Sequence, residues 1–214
     1  MERLKAFHKE WMLLGISSLL CLSLSIFRIN YTHQPTFFFL NWNLFLAFVP
    51  YSLSSLLLIY RKQSSAFIWL VFGVWLLFFP NAPYILTDLF HLRRSLNMPL
   101  WYDLILILSY GWTGLLFGFL SLMHLEKLLE FRIHKNWIPF LIVGLLFTTS
   151  FGVYLGRYLR FNSWDVLSYP RSLLLEITDR FIRPFAHPRT WGLTLFMGVF
   201  LNMAYWTFSR LGRR

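Results

Sequence analysis

Phe78-Phe79-Pro80-Asn81-Ala82-Pro83-Tyr84-Ile85-Leu86-Thr87-Asp88-Leu89-Phe90-His91 is the stretch on which the fold turns. An apolar run that begins at Ala66 meets two prolines here, and Asn81, Tyr84, Thr87, Asp88 and His91 follow in quick succession. Ala66–Phe79 holds 14 residues, about 21 Å of helix, whereas the hydrocarbon of a bilayer is roughly 30 Å thick. A helix starting at Ala66 therefore reaches the prolines before it has crossed. Pro80 and Pro83 lack the N–H that a helix interior needs, and Pro83 biases Ala82 away from helical backbone. The expectation is a third span broken at Pro80–Pro83, with a second piece from about Ala82 to about Leu92 capped by Asn81. Irregular backbone at membrane depth is tolerated only against protein or a water-filled cavity, so this interruption is where a site is sought.

The surrounding chain sets the class. It is 57% hydrophobic and 14% charged, against about 25% charged for ordinary soluble domains. Apolar runs fall near Trp11–Phe27, Phe37–Tyr60, from Ala66, and near Tyr102–Met123, Ile138–Leu155 and Trp191–Phe208. Trp11, Trp101, Trp137 and Trp191 mark span edges, as in an aromatic belt. The fold class is all-α: a polytopic membrane bundle of about six transmembrane helices, with residues 1–214 as a single transmembrane domain. A β-barrel would instead alternate polar and apolar positions over short segments. The net charge of +11 is assigned to basic flanks facing anionic lipid rather than to nucleic acid, because no basic helix is free of apolar runs. Cys21 is the lone cysteine, excluding an intramolecular disulfide, and is read as packing. Arg3, Lys5 and Lys9 precede the first run in the manner of a signal peptide, but no small-x-small cleavage site follows, so an uncleaved first span is expected.

Basic residues orient the bundle. With the N-terminus inside, Arg3, Lys5, Lys9, Arg61, Lys62, Lys127, Arg132, Lys135, Arg210, Arg213 and Arg214 are cytoplasmic, and the first two outer loops hold only Arg28, Arg93 and Arg94. This places both termini in the cytoplasm. The last outer loop runs against the rule: Gly156–Thr190 carries Arg157, Arg160, Arg171, Arg180, Arg183 and Arg189 without a lysine. Arginine alone suits bidentate recognition of carboxylate or phosphate. Within that loop, Pro170–Arg183 is patterned as an amphipathic helix lying on the outer surface.

Six-span alternation brings Gly156-Arg157-Tyr158-Leu159-Arg160-Phe161-Asn162-Ser163-Trp164-Asp165 to the same side as the broken span. Ionisable groups at membrane depth are costly and tend to be paired or functional. Asp88 and Asp165 are the candidate bases. Asn81, Tyr84, Thr87, His91, Arg157, Arg160, Asn162, Ser163 and Trp164 are the candidate ligand contacts. The alternative is a set of interfacial ion pairs, with Asp165 on Arg160 and with Asn162 or Ser163 as helix caps. Arg157 and Arg160 are spaced to share a helical face, as are Asp88 and His91. The latter spacing suits two metal ligands or an acid/base pair, but no further ligand pair accompanies it, so no metal and no cofactor is assigned. Gly114-x-x-x-Gly118 and Gly152-x-x-x-Gly156 permit close helix approach, the second bringing Arg157 with it. Asn41, Asn43 and Asn202 are read as interhelical donors.

On Pro80-Asn81-Ala82-Pro83-Tyr84, Thr87-Asp88-Leu89, Gly156-Arg157, Arg160 and Asn162-Ser163-Trp164-Asp165, the chain resembles the domain-of-unknown-function 1361 (DUF1361) family of bacterial multi-pass membrane proteins. The resemblance extends over nearly the whole length. It implies a bacterial, hence inner-membrane, location; the family brings no established activity, so no residue role transfers from it. Three functions stay open at this point: an outward-facing site for an anionic lipid or lipid-linked phosphate, with or without chemistry on it; a small transporter or channel; and a non-enzymatic scaffold subunit. The partners are the lipid bilayer and, on the first reading, that anionic lipid; a homo-oligomer is compatible with all three.

Overall fold

A computed structural model describes residues 2–60, 64–92 and 97–211, with the side chains of 2–7 and 65 set aside. Among these residues the regular elements are all helical: α1 (Glu2–Thr32), α2 (Phe39–Ile59), α3 (Ser65–Phe78), α4 (Asn81–Tyr84), a 3-10 segment (Ile85–His91), α5 (Leu100–Leu129), α6 (Ile138–Leu159), α7 (Asp165–Ser168), α8 (Pro170–Ile182) and α9 (Pro188–Leu211). Five stretches are long and apolar enough to cross a membrane: His8–Thr32, Phe39–Ile59, Ala66–His91, Leu100–Leu129 and Lys135–Leu159. The expected sixth span, α9, falls short on apolarity. Its 24 residues, about 36 Å, suffice in length, but Thr190, Thr194 and Asn202 dilute its apolar character. It nevertheless runs antiparallel along α6. Trp191 stacks 6.1 Å from Phe151 near one end, Gly198 receives Phe147 midway, and Tyr205 joins Ile138 and Ile142 at the other.

α5 is the central helix. Of its most apolar window 72% is buried, against 22–44% in the other four spans. It packs against α1, α2, the interrupted third span, α6 and α9. The exposed faces of the outer helices stay apolar, as lipid contact demands: Leu19 and Phe196 are examples.

The third span is interrupted where the prolines stand, but it does not unwind. Phe79, Pro80, Tyr84 and Ile85 all keep right-handed helical backbone. What changes is the hydrogen bonding. The Ala82 N–H turns to the Phe79 carbonyl at 3.1 Å, three residues back. The Asn81 side chain donates to the Phe78 carbonyl at 2.8 Å. Asn81 is thus not the cap of a restarted helix; it substitutes for a backbone donor inside a tightened one. The chain then continues as 3-10 helix to His91.

The first span also differs from expectation. It extends to Thr32 and so takes Arg28 out of the loop in which it was placed. Arg28 is buried, Nε donating to Asp103 Oδ1 at 2.7 Å and Nη2 to Oδ2 at 3.2 Å, with Phe37 beneath its guanidinium. At the opposite end of the bundle, Glu10 Oε2 lies 2.9 Å from His124 Nε2 and accepts from the Tyr51 hydroxyl at 3.2 Å. The first contact ties α1 to α5, and the second ties it to both α5 and α2. Cys21 is buried with its Sγ 3.3 Å from Thr113 Oγ1. Of the asparagines read as interhelical donors, Asn41 and Asn43 bond across helices, whereas Asn202 donates to Gly198 of its own helix. Arg3, Lys5, Arg61, Lys62, Arg93, Arg94, Arg213 and Arg214, used in the orientation argument, lie outside the described side chains.

Candidate functional site

Both small-residue motifs are spent on the interrupted span. A Cβ on Gly114 would come within 2.7 Å of the Ala82 carbonyl oxygen, and one on Gly118 within 3.0 Å of Ala82 Cβ. From the other side, a Cβ on Gly152 would stand 2.7 Å from Pro80 Cγ, and one on Gly156 3.2 Å from the Tyr84 ring. The segment Pro80–Ile85 is therefore clamped between α5 and α6 at a closeness only glycine permits. This clamp delivers Arg157, one residue after Gly156, onto the 3-10 segment.

Arg157 is held by that segment. Its Nη1 donates to Asp88 Oδ1 at 3.1 Å and to the Tyr84 hydroxyl at 3.4 Å, and its Nη2 donates to the Thr87 carbonyl. The guanidinium also stands 5.5 Å from the Tyr84 ring centroid and 5.4 Å from that of Phe90. Asp88 Oδ2 accepts from Asn43 Nδ2 of α2 at 2.9 Å. Asp88 is 1% exposed, so a single carboxylate joins three elements with both oxygens engaged. That is what a charge in low dielectric requires: a partner of opposite sign and further hydrogen bonds. Thr87 Oγ1 closes locally on the Tyr84 carbonyl at 2.6 Å. His91 packs its ring edge-on to Phe39 at 5.4 Å, and among the described residues no group of three or more His, Cys, Asp or Glu gathers.

The turn after α6 completes the arrangement. Arg160 adopts left-handed backbone, φ 61°, and ends the helix. It therefore stands at the end of α6 rather than within it, and Arg157 and Arg160 border one concavity. Asp165 Oδ2 accepts from the Asn162 N–H at 2.6 Å and from Asn162 Nδ2 at 3.3 Å, closing the turn. Asn162 and Ser163 are accordingly not side-chain caps. Ser163 Oγ instead accepts from Asn81 Nδ2 at 2.9 Å, a second bond between the two sequence motifs. Arg160 is exposed and forms no ion pair among the described residues, with Asp165 or otherwise. Asp88 and Asp165 are not bonded to each other. Arg93 of the adjoining loop lies outside the described residues, and the Asp103 carboxylate is taken by Arg28.

Two concavities adjoin at this junction. The first, about 510 Å³, is mainly apolar, walled by residues such as Trp42, Leu46, Leu76, Leu77, Phe151, Leu155, Leu173, Ile177 and Phe181. Asn43, Asn81, Asn162, Ser163 and Trp164 supply its polar part. The second, about 440 Å³, is basic and more open, lined by Tyr84, Phe90, His91, Gly156, Arg157, Arg160 and Asn162. Tyr84, Gly156 and Asn162 border both. Arg160 further borders a depression with Asp165, Tyr169, Ser172 and Glu176. The polar residues were legible in the sequence. The apolar wall from α2 and α8 was not, because nothing in the spacing of Trp42, Leu46 and Leu173 marks them as facing one cavity.

These features define a multi-pass helical membrane protein with a polar junction at one end of its bundle. Residues 42–204 match the model of a family described as Protein of unknown function (DUF1361), and the chain belongs to that family. No curated protein and no solved structure matches the chain.

Proposed function

We propose that this junction is an outward-facing binding site for an anionic amphiphile, a lipid or a lipid-linked phosphate. The observation that carries the reading is the adjacency of the two concavities: an apolar one within the about 300–1,000 Å³ range of small-molecule sites, sharing a rim with a basic one. The tail lies against Leu77, Phe151 and Leu155, and the head group sits between Arg160 and Asn162. Arg160 is the residue that meets the anion, since its charge is uncommitted within the described chain. Arg157 contributes through its exposed edge while Asp88 orients it. On this reading Asp88 and Asp165 shape the site rather than act as bases: Asp88 is enclosed with both oxygens occupied, and Asp165 holds the 162–165 turn.

The site faces the outside of a bacterial inner membrane, with both termini cytoplasmic. The concentration of Lys and Arg in the loops on the terminal side supports this orientation, as does a pairing of α9 with α6 that returns the chain to the side where it began.

Native mass spectrometry of the protein extracted with its own lipids tests the proposal, beside Arg160→Ala and Leu155→Trp. A discrete anionic lipid retained by the wild type, reduced several-fold in Arg160→Ala and lost from a folded Leu155→Trp, is the expected result. Equal, non-selective lipid on all three overturns it.

A further inference from the structure

α8 presents three faces at about 100° of turn per residue. Leu173, Ile177 and Phe181 lie on one and line the apolar cavity. Leu174, Leu175 and Ile182, 62%, 62% and 71% exposed, lie on a second, together with Thr178 and, at the upper end, Arg171. Ser172, Asp179 and Arg183 make the third, where Asp179 holds His187 at 2.7 Å. A helix in water would have no use for the second face.

We infer that this second face is a lipid-contact surface, seated at the boundary between head groups and acyl chains of one leaflet, which makes α8 the wall between the cavity and the bilayer. The depth of the helix is the ground for it. α8 does not lie across the top of the bundle, as its amphipathic pattern alone suggested; it descends beside α6. Its start is level with the end of α6, where Tyr169 and Ser172 border a depression together with Leu159 and Arg160. Lower down, the Arg180 guanidinium stands 5.6 Å from the Tyr154 ring, and Phe181 packs 5.7 Å from Phe151. Phe151 lies eight residues, about 12 Å, before the end of α6, well inside a stretch apolar and long enough to span. Whatever surrounds α6 at that depth also surrounds the outer side of α8.

Three further features agree with this. Apolar exposure is not confined to α8: Phe185 just beyond it is 97% exposed and Phe196 of α9 76%. Arg180, which stands beside Tyr154, is buried and bonded to Glu176, as an ionised group at membrane depth must be. Arg171, exposed at the upper end of α8, suits anionic head groups, and Arg183 at its lower end stands 3.8 Å from Asp179. The surface stands on the geometry of α8 itself; only its role as the wall of a ligand site rests on the proposed function.

Nitroxide labels on single cysteines test it in the full chain, in a Cys21→Ala background, reconstituted into nanodiscs containing phosphatidylglycerol. Positions Leu175 and Ile182 sample the apolar face, and Ser172 and Arg183 the polar one. The ratio of collision rates with oxygen and with a nickel chelate is expected to be several-fold higher at 175 and 182 than at 172 and 183. Equal ratios at all four would put α8 in water and overturn the inference. Exclusion of both reagents at 175 and 182 would overturn it too, showing the face covered by protein, such as a second copy. If the lipid-retention experiment failed while this pattern held, the surface would stand and the ligand site would fall.

Discussion

Arg157 is bonded to Tyr84 at the end of α4 and to Thr87 and Asp88 of the 3-10 segment, and its removal strands a buried carboxylate. Arg157→Ala leaves Asp88 its hydrogen bond from Asn43 but no guanidinium, and breaking a buried pair in this way costs about 3–5 kcal/mol. Asp88→Asn keeps the shape and removes the charge, so Arg157 loses its counter-ion while the Asn43 contact is perturbed. Combined, the two substitutions relieve each other. A double-mutant cycle on unfolding in mixed detergent micelles is expected to give a coupling of at least ~1 kcal/mol; strict additivity would mean that the two residues do not meet. Sequence spacing pointed to both residues but not to their pairing. Nothing in it distinguishes Asp88 on Arg157 from Asp88 on Arg93, because partner choice is set by the glycine clamp and not by local order. Arg28 shows the same limit: it reads as a loop residue until α1 is seen to continue to Thr32.

At the scale of elements, the prolines announced the interruption, and tertiary contacts decided its form. The path stays helical because three-residue hydrogen bonds and the Asn81 amide replace donors that Pro80 and Pro83 lack. The clamp then makes the glycines unequal. Gly114→Ala and Gly152→Ala each drive a Cβ into the interrupted span and are expected to destabilise by about 1–3 kcal/mol. Gly73→Ala and Gly144→Ala meet nothing within 4 Å and are expected to be neutral or to stabilise by about 0.5–1 kcal/mol. Thermal unfolding of the four variants checks the contrast. The left-handed residue that turns the chain after α6 was not legible, since it is arginine where glycine or asparagine is the usual signal.

At the scale of the molecule, two distant sequence motifs share one end of the bundle, tied by Asn81 to Ser163 and by Asp88 to Arg157. The alternation of spans predicted that much. The apolar cavity beside them was hidden from the sequence, because it arises from how α2, α3, α6 and α8 diverge around the interruption. On the proposed function, this cavity holds the tail of an anionic amphiphile. The most direct measurement is photo-crosslinking with phosphatidylglycerol bearing a diazirine near the end of one acyl chain, beside phosphatidylcholine with the same chain. Peptide mapping is predicted to find adducts around Leu76–Leu77, Phe151–Leu155 and Leu173–Phe181, stronger for phosphatidylglycerol and abolished there by Leu155→Trp. Adducts spread evenly over outer surfaces such as Leu19 and Phe196, alike for both lipids and unmoved by Leu155→Trp, would contradict it.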